Sequence, residues 1–167
     1  MKKLAGLISI LALAACQKTN TSQEKCDIQQ VYFDNSQRVT IAHGIWGTVS
    51  SLEGDCMPTD QVSSSCSNCP VQRTVKVYEY TTLTNAVTSD PYKRFFDTFN
   101  TQLVAQSEAD EKGFFQLNIP PGHYSIVIVE NGKLYAELRD GQGGLNPFTL
   151  SSGVQNVNIT MTYKAVF

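Results

Sequence analysis

Cysteines are the residues of this chain whose spacing most directly suggests chemistry. Cys66 and Cys69 form a Cys-x-x-Cys pair, and Cys26 and Cys56 could complete a four-thiolate zinc site. A redox pair of this spacing is expected beside a βαβ pattern, whereas the polar residues around Cys66 indicate a loop. Four cysteines of an exported chain favour structural disulfides, and they allow three pairings. We therefore expect disulfides, with a link from Cys56 to Cys66 or Cys69 closing a loop, and neither a metal nor a cofactor.

Carboxylates and one histidine are the other candidates for catalysis. Glu108, Asp110 and Glu111 cluster before a predicted turn, where a general acid/base pair is conceivable but turn formation explains the carboxylates without it. His43 falls in the inward phase of a predicted strand, which is typical of a histidine with a satisfied hydrogen bond. The sequence has no H-x-x-x-H pair and no G-x-S-x-G elbow. We predict no catalytic residue, and an envelope hydrolase using His43 or these carboxylates is an alternative.

One glycine-rich acidic segment resembles a cation-binding loop in composition. It runs from Asp140 to Gly144 and contains three glycines. Calcium loops of the EF-hand type need oxygen ligands at alternate positions and a closing glutamate, and this segment has neither. We predict a flexible loop there, and leave open whether it binds an ion.

Aromatic residues supply two candidate partner surfaces. One segment has Pro91 at the first position of a possible short helix, which would place four aromatic side chains on one face. Packing against an open end of the fold is the expectation for this stripe, and a partner surface is the alternative. A flat aromatic platform for a glycan is the second candidate. The stripe consists of Tyr92, Phe95, Phe96 and Phe99, and the platform of Trp46, Tyr78 and Tyr80.

The first residues of the chain predict export. Lys2 and Lys3 precede an apolar stretch that is too short to span a bilayer, and small residues end it. Leu13-Ala14-Ala15-Cys16 resembles a bacterial lipoprotein signal, in which the cysteine is acylated and becomes the new N-terminus. We therefore predict a signal peptide at 1–15 and lipidation of Cys16, with more than one acyl chain for stable attachment. The polar residues that follow predict a flexible tether, so residues 16–37 are assigned to the lipidated cysteine and its tether.

The remaining residues, 38–167, predict one all-β domain. Apolar and polar residues alternate in short segments such as 114–119 and 154–163, and turn residues separate these segments. The segment 123–130 is apolar on both faces, as expected of an interior strand. Asn131-Gly132 is a strong hairpin signal because both positions tolerate positive φ. We predict a seven-stranded antiparallel β-sandwich with one short helix in an inter-strand insertion.

Several motifs of this domain resemble a known family. Gly47-Thr48-Val49 is followed by the segment "DEKGFFQLNIPPGHY", which carries Gly113, Phe115, Gly122 and Tyr124. Together they resemble carboxypeptidase regulatory-like domains, and most closely small lipoproteins of Bacteroidetes-type bacteria. The resemblance runs from about residue 43 to the end of the chain. It implies a transthyretin-like (prealbumin-like, Ig-like) sandwich, and it implies architecture more than activity.

These features together predict a lipid-anchored binding or scaffold module without catalytic activity. The formal net charge of −2 gives no basic footprint for nucleic acid. We expect attachment to the outer membrane, on its periplasmic face or at the cell surface, and an envelope protein or glycan as partner. An accessory lipoprotein of an outer-membrane nutrient or polysaccharide uptake system is the alternative.

Overall fold

A computed structural model describes residues 26–58 and 65–167. The predicted signal peptide, Cys16 and the first part of the tether lie outside these residues. No helix within the two described ranges is long and apolar enough to cross a bilayer. The strands are, in chain order, β1 (Gly44–Asp55), β2 (Ser67–Pro70), β3 (Thr74–Glu79), β4 (Ala86–Val87), β5 (Phe95–Phe96), β6 (Thr98–Phe99), β7 (Leu103–Glu108), β8 (Phe114–Leu117), β9 (Gly122–Glu130), β10 (Lys133–Tyr135), β11 (Pro147–Leu150), β12 (Val154–Asn156) and β13 (Ile159–Val166).

The first sheet is built around β1, the longest strand. On one side β1 pairs with β2 and β8, both antiparallel. On its other side β1 pairs with β12 and then β13, both parallel. The parallel pairing was not expected from the alternation, which carries no information about strand direction. No strand in the described part of the chain pairs with the outer edge of β13.

The second sheet has β9 and β3 at its centre. Its order is β5-β10-β9-β3-β7, and β11 also pairs with β9, at the end that β10 leaves free. Asn131 and Gly132 join β9 to β10 with φ of 52° and 78°, so the predicted hairpin is confirmed. The short pair β4–β6 lies in the insertion between β3 and β7.

Apolar side chains of both sheets form one core, which makes the domain the all-β sandwich that the alternation predicted. Ile45 and Val49 of β1 pack with Val75 and Val77 of β3, and all four are fully buried. A second buried cluster covers the opposite face of the second sheet. Strand β9 contributes Val127 to that second cluster and its neighbours to the first, so the prediction of an interior strand is confirmed.

The predicted helix in the insertion is wrong. Its aromatic segment forms the strands β5 and β6, after a turn in which Asp90 accepts hydrogen bonds from the backbone of Arg94 and Phe95. Phe96 and Phe99 are buried in the second cluster, which covers the outer face of β9 and β10. Burial against a sheet decided the local structure here, because a strand pairing with β10 buries these rings more completely than an exposed helix would.

An α-helix, α1 (Ile28–Ser36), lies instead within the predicted tether. Asp27 caps it by accepting from the backbone of Gln29 and Gln30. Asn35 is 1% exposed and its amide donates to Thr48 Oγ1 at 2.8 Å and to the carbonyl of Lys112 at 3.0 Å. The tether prediction is therefore wrong for residues 26–37, because these contacts fix the segment to the sandwich.

Candidate functional site

The cysteines form two disulfides, as predicted. Cys56 pairs with Cys66, which closes a ten-residue separation after β1. Cys26 pairs with Cys69 of β2, which ties the start of α1 to the edge of the first sheet. Since Cys66 and Cys69 belong to different disulfides, the Cys-x-x-Cys pair forms no internal bond. Among residues 26–58 and 65–167, no group of three or more His, Cys, Asp or Glu side chains could hold a metal.

The carboxylates that were catalytic candidates have structural roles. Asp110 accepts from the backbone of Lys112 and Phe114 and from the guanidinium of Arg38. Burial raises the pKa of Asp110, but the hydrogen bond from Arg38 and those from the backbone outweigh it, so the net pKa lies below the usual 3.8. Glu108 accepts from Thr74 Oγ1. An Asp110 that is ionised and saturated in this way holds the turn before β8 together.

The two histidines and Glu111 lie at the surface. His43 is exposed and precedes β1, which begins only at Gly44. Its predicted place in the inward phase of the strand is therefore wrong, because Gly44 has a φ of +114° and changes the chain direction there. His123 is exposed on β9 and stacks on Tyr80, with ring centroids 4.1 Å apart.

The three aromatic residues of the predicted glycan platform lie in different parts of the fold. Tyr78 is buried in the second cluster and packs edge-on against Phe99. Trp46 lies half-buried on β1, in the other sheet. Tyr80 donates its hydroxyl to Asp140 at 2.8 Å. The three rings therefore form no common flat surface.

Of the aromatic stripe, only Tyr92 is exposed, at 75%. Phe96 and Phe99 are buried, and Phe95 packs edge-on against Tyr163 of β13. Three of the four rings are therefore packed, but against the second sheet and Tyr163 rather than over an open end of the sandwich.

The glycine-rich loop is organised by its own aspartate. Asp140 Oδ1 accepts from the backbone of Gln142 and Gly144, and Oδ2 accepts from Tyr80. These bonds, led by that from Gly144, hold the pKa of Asp140 below its usual 3.8. The carboxylate is therefore committed to the conformation of the loop.

A cleft of about 450 Å³ opens between the two sheets and is the strongest candidate for a binding site. Its volume lies in the range of ligand sites, and its walls are mainly apolar. We call it the inter-sheet cleft. Leu138 stands at the cleft with 72% of its surface exposed. The apolar walls are formed by Ile126, Leu138, Pro147, Phe148, Val157 and Ile159.

Two unpaired strand edges border the inter-sheet cleft. Thr160 and Thr162 of β13 line it from the first sheet, and Pro147 and Phe148 of β11 line it from the second. Within the described ranges β13 pairs only with β1, and β11 only with β9. At the cleft, therefore, no strand of the described chain bridges the two sheets.

Polar groups of the inter-sheet cleft meet at Glu137. Its Oε2 accepts from the hydroxyls of Tyr135 and Thr162, and its Oε1 lies 4.0 Å from Nη1 of Arg94. Burial and the hydrogen bond to Glu137 raise the pKa of Tyr135 to about 12. The tyrosine therefore stays protonated at neutral pH and also accepts from the backbone of Thr162 at 3.1 Å. This network joins the two sheets at the inner end of the cleft.

Three side chains of the cleft keep free hydrogen-bonding capacity. Asn146 Oδ1 accepts from the backbone of Leu138 and Asn158 Oδ1 from the backbone of Thr48. Neither amide nitrogen donates to any group in the described part of the chain, and Glu137 Oε1 accepts no hydrogen bond there. The cleft therefore offers two donors and one acceptor beside apolar walls.

A second polar network joins the sheets away from the cleft. Glu130 is 4% exposed and accepts from Arg73 and from Tyr163, the latter at 2.7 Å. Burial raises the pKa of Glu130, but the bonds from Arg73 and Tyr163 outweigh it and leave the pKa below the usual 4.5. Burial and the same carboxylate raise the pKa of Tyr163 to about 12.

Replacing Glu130 with glutamine should lower the free energy of unfolding by about 2 kcal/mol at pH 7, because a neutral amide leaves Arg73 without its charged acceptor. A lowered native pKa stabilises the fold above the unfolded-state value near 4.5. That contribution disappears as the pH falls through the native value. The difference between wild type and Glu130→Gln, measured by urea unfolding, should therefore shrink as the pH is lowered below the unfolded-state value near 4.5.

Glu53→Gln is the matched control for this prediction. Glu53 pairs with Lys164 at 2.8 Å, but both side chains are more than 40% exposed. Its loss should cost less than about 0.5 kcal/mol. Equal effects of the two substitutions at pH 7 would contradict a stabilising role of the buried network.

Comparison of the chain with protein-family models, with curated proteins and with solved structures gave no match. Sequence reasoning had not identified the inter-sheet cleft. The alternation of apolar and polar residues in 133–139 continues past Tyr135, where β10 ends, so it does not reveal that Leu138 is exposed. A partial signal was present, since Pro147 marks an edge strand.

Proposed function

We propose that this protein is a lipid-anchored binding module of the bacterial cell envelope, which holds a partner protein at the inter-sheet cleft without catalysing a reaction. The observation that carries the proposal is an apolar cleft of about 450 Å³ between two unpaired strand edges. The mainly apolar lining favours a protein partner over a glycan, for which aromatic platforms are typical. The lipoprotein-like sequence that ends at Cys16 and the two disulfides support export.

The disposition of titratable groups supports a binding role. Asp110 and Glu108 are bonded within turns and strands, and Glu137 accepts two hydroxyls and approaches Arg94. A hydrolase needs two convergent groups whose proton affinities suit acid and base roles. The resemblance to carboxypeptidase regulatory-like domains belongs to the same proposal, because such domains imply architecture more than activity.

The docked helix α1 fits attachment through the N-terminus. The disulfide from Cys26 to Cys69 lies ten residues after Cys16 in the sequence and joins the start of the described chain to β2. A pull on the anchor would then act on a covalent link to the first sheet, and not on the hydrogen bonds of α1 alone. On this proposal the tether is the segment between Cys16 and Cys26.

Site-specific photo-crosslinking in the producing bacterium tests the proposal. A photoreactive amino acid at Leu138 should give one dominant protein adduct in the envelope fraction, because this side chain stands at the cleft. Tyr92 is the matched control, since its exposure of 75% is close to the 72% of Leu138 but it does not line the cleft. The adduct should be lost from the membrane fraction when Cys16 is replaced by serine.

Two results would contradict the proposed function. Equal adduct patterns from positions 138 and 92 would show that the cleft selects no partner. Membrane attachment that persists in Cys16→Ser would refute the lipid anchor.

A further inference from the structure

The free edge of β13 is the feature of the inter-sheet cleft that points to a particular ligand. Val157 donates its backbone N–H to Trp46, on the β1 side, whereas Thr162 directs its N–H away from β1 to Tyr135. Since backbone direction alternates along a strand, the N–H and C=O of Thr160 share the outward direction of Thr162. Thr160 lines the cleft, so an unpaired backbone donor and acceptor lie at its margin.

Two other strand edges, those of β11 and β7, are better protected against strand addition. Strand β11 begins with Pro147, which has no N–H to offer, and β7 contains a register shift opposite Val77 and Tyr78. Proline and bulges are the usual protections of an edge strand. Strand β13 contains no proline, and it has no bulge before the register shift opposite Ser51 and Glu53. Its first residues, from Ile159 to Met161, form the unprotected part.

The electrostatics of the cleft favour a neutral ligand. Among the described residues that line it, Glu137 alone is charged, and Arg94 balances that charge from 4.0 Å. A cationic ligand would meet Arg94, and an anionic one would meet Glu137. The free groups of the cleft are one acceptor on Glu137 and the amide donors of Asn146 and Asn158. A peptide backbone supplies the complementary groups, an N–H and a C=O, without a charge.

We propose that the partner contributes an extended, uncharged peptide segment that pairs with the free edge of β13 and places an apolar side chain in the inter-sheet cleft. The proposal rests on the proposed function and names the part of the partner that is bound. Backbone hydrogen bonds to β13 supply affinity, and the apolar walls select the side chain. Because side chains alternate along a strand, every second residue of the segment faces the cleft.

Short synthetic peptides test this pairing on the purified full chain. The probe is acetyl-Thr-Leu-Thr-Val-Thr-amide. Two analogues carry backbone N-methyl groups on alternate residues, one analogue on the three threonines and the other on the leucine and the valine. Binding is followed by backbone amide NMR shifts and by slowed exchange of the Thr160 N–H. We expect a dissociation constant of about 1 mM or lower for the probe. One analogue should bind about tenfold or more weakly than the probe, and the other should bind almost as well. The reason is that only one set of alternate N–H groups of the peptide points toward β13.

Two lysine variants locate the binding site. Leu138→Lys places a charge at the cleft on a side chain that is already 72% exposed, so the fold should be kept. Leu103→Lys is the matched control on β7, the free edge on the other side of the second sheet. Leu138→Lys should abolish the shift changes at Thr160, and Leu103→Lys should leave them unchanged.

Three outcomes would overturn the inference. They are no binding of the probe at about 1 mM, equal binding of both N-methylated analogues, or weakening by Leu103→Lys alone. If the probe peptide does not bind but cross-linking at position 138 gives a specific adduct, then the partner binds the cleft by another mode. If cross-linking itself gives no specific adduct, the proposed function fails and not only this inference.

Discussion

Replacing both Cys26 and Cys69 with serine should lower the free energy of unfolding by about 4 kcal/mol. The disulfide spans a sequence separation of 43. In the chain-entropy model, closing a loop of this length reduces the conformational entropy of the unfolded state, and this raises the free energy of the unfolded state by about 4 kcal/mol. A loss of this size is a large fraction of the stability of an ordinary domain. Urea unfolding of the purified protein under oxidising conditions measures it.

The same variant should release the helix α1 before the sandwich unfolds. Without the covalent link to β2, α1 is held by Asn35 and by non-covalent contacts with β1 and β2. A nine-residue helix is marginal in isolation. Hydrogen exchange of the α1 amides should therefore accelerate well beyond that of β9, and unchanged protection of α1 would contradict the clamp.

The double replacement of Cys56 and Cys66 is the control. Its separation of 10 predicts a loss of about 2.7 kcal/mol, and α1 should keep its protection because Cys26 remains paired. The small loop lies inside the large one, so the two losses are not expected to add. A larger effect of the small loop than of the large one would refute the loop-length argument.

Gly47→Ala should destabilise the domain by about 3 kcal/mol or more, through a steric clash in the middle of β1. A Cβ at this position would lie 2.0 Å from the carbonyl oxygen of Val157 and 3.0 Å from the ring of Phe115. The first contact is with backbone, so the junction of β12 and β13 with β1 must open to relieve it. The hydrogen bond from Val157 to Trp46 lies at this junction.

Gly141→Ala is the control for this second prediction. No atom lies within 4 Å of a Cβ built there, and its backbone needs no positive φ. Its melting temperature should stay within about 1 °C of wild type, whereas Gly47→Ala should lower it by about 6 °C or more. A Gly47→Ala protein with wild-type stability would show that β1 and the β12–β13 junction are not in close contact.

The glycines illustrate how local sequence signals divide into reliable and unreliable ones. Gly113 and Gly132 have positive φ, as the turn signals predicted. Gly122 belongs to the same motif as Gly113, but it begins β9 without a positive φ. It is constrained instead by the ring of Tyr124, 2.6 Å from its would-be Cβ. A turn is fixed within four residues, whereas an approach such as that of Gly47 to the carbonyl of Val157 depends on a residue that only the fold brings near.

The sequence by itself determined the parts of this protein that depend on neighbouring residues. Alternation fixed the all-β class, and the apolar segment around Val127 predicted a strand buried on both faces. Asn131-Gly132 predicted the hairpin that joins β9 to β10. These predictions were confirmed because alternation and turn geometry act over a few residues and need no distant contact.

Only the tertiary structure decided which distant segments meet. It chose the pairing of Cys26 with Cys69 among three possibilities, and it placed α1 on β1 although the sequence there indicated a tether. It converted the helical spacing of Phe96 and Phe99 into strands buried against the second sheet. The inter-sheet cleft arises where the outer edges of β13 and β11 pair with no other strand of the described chain. Which edges stay free is a property of the whole sheet rather than of any strand in it.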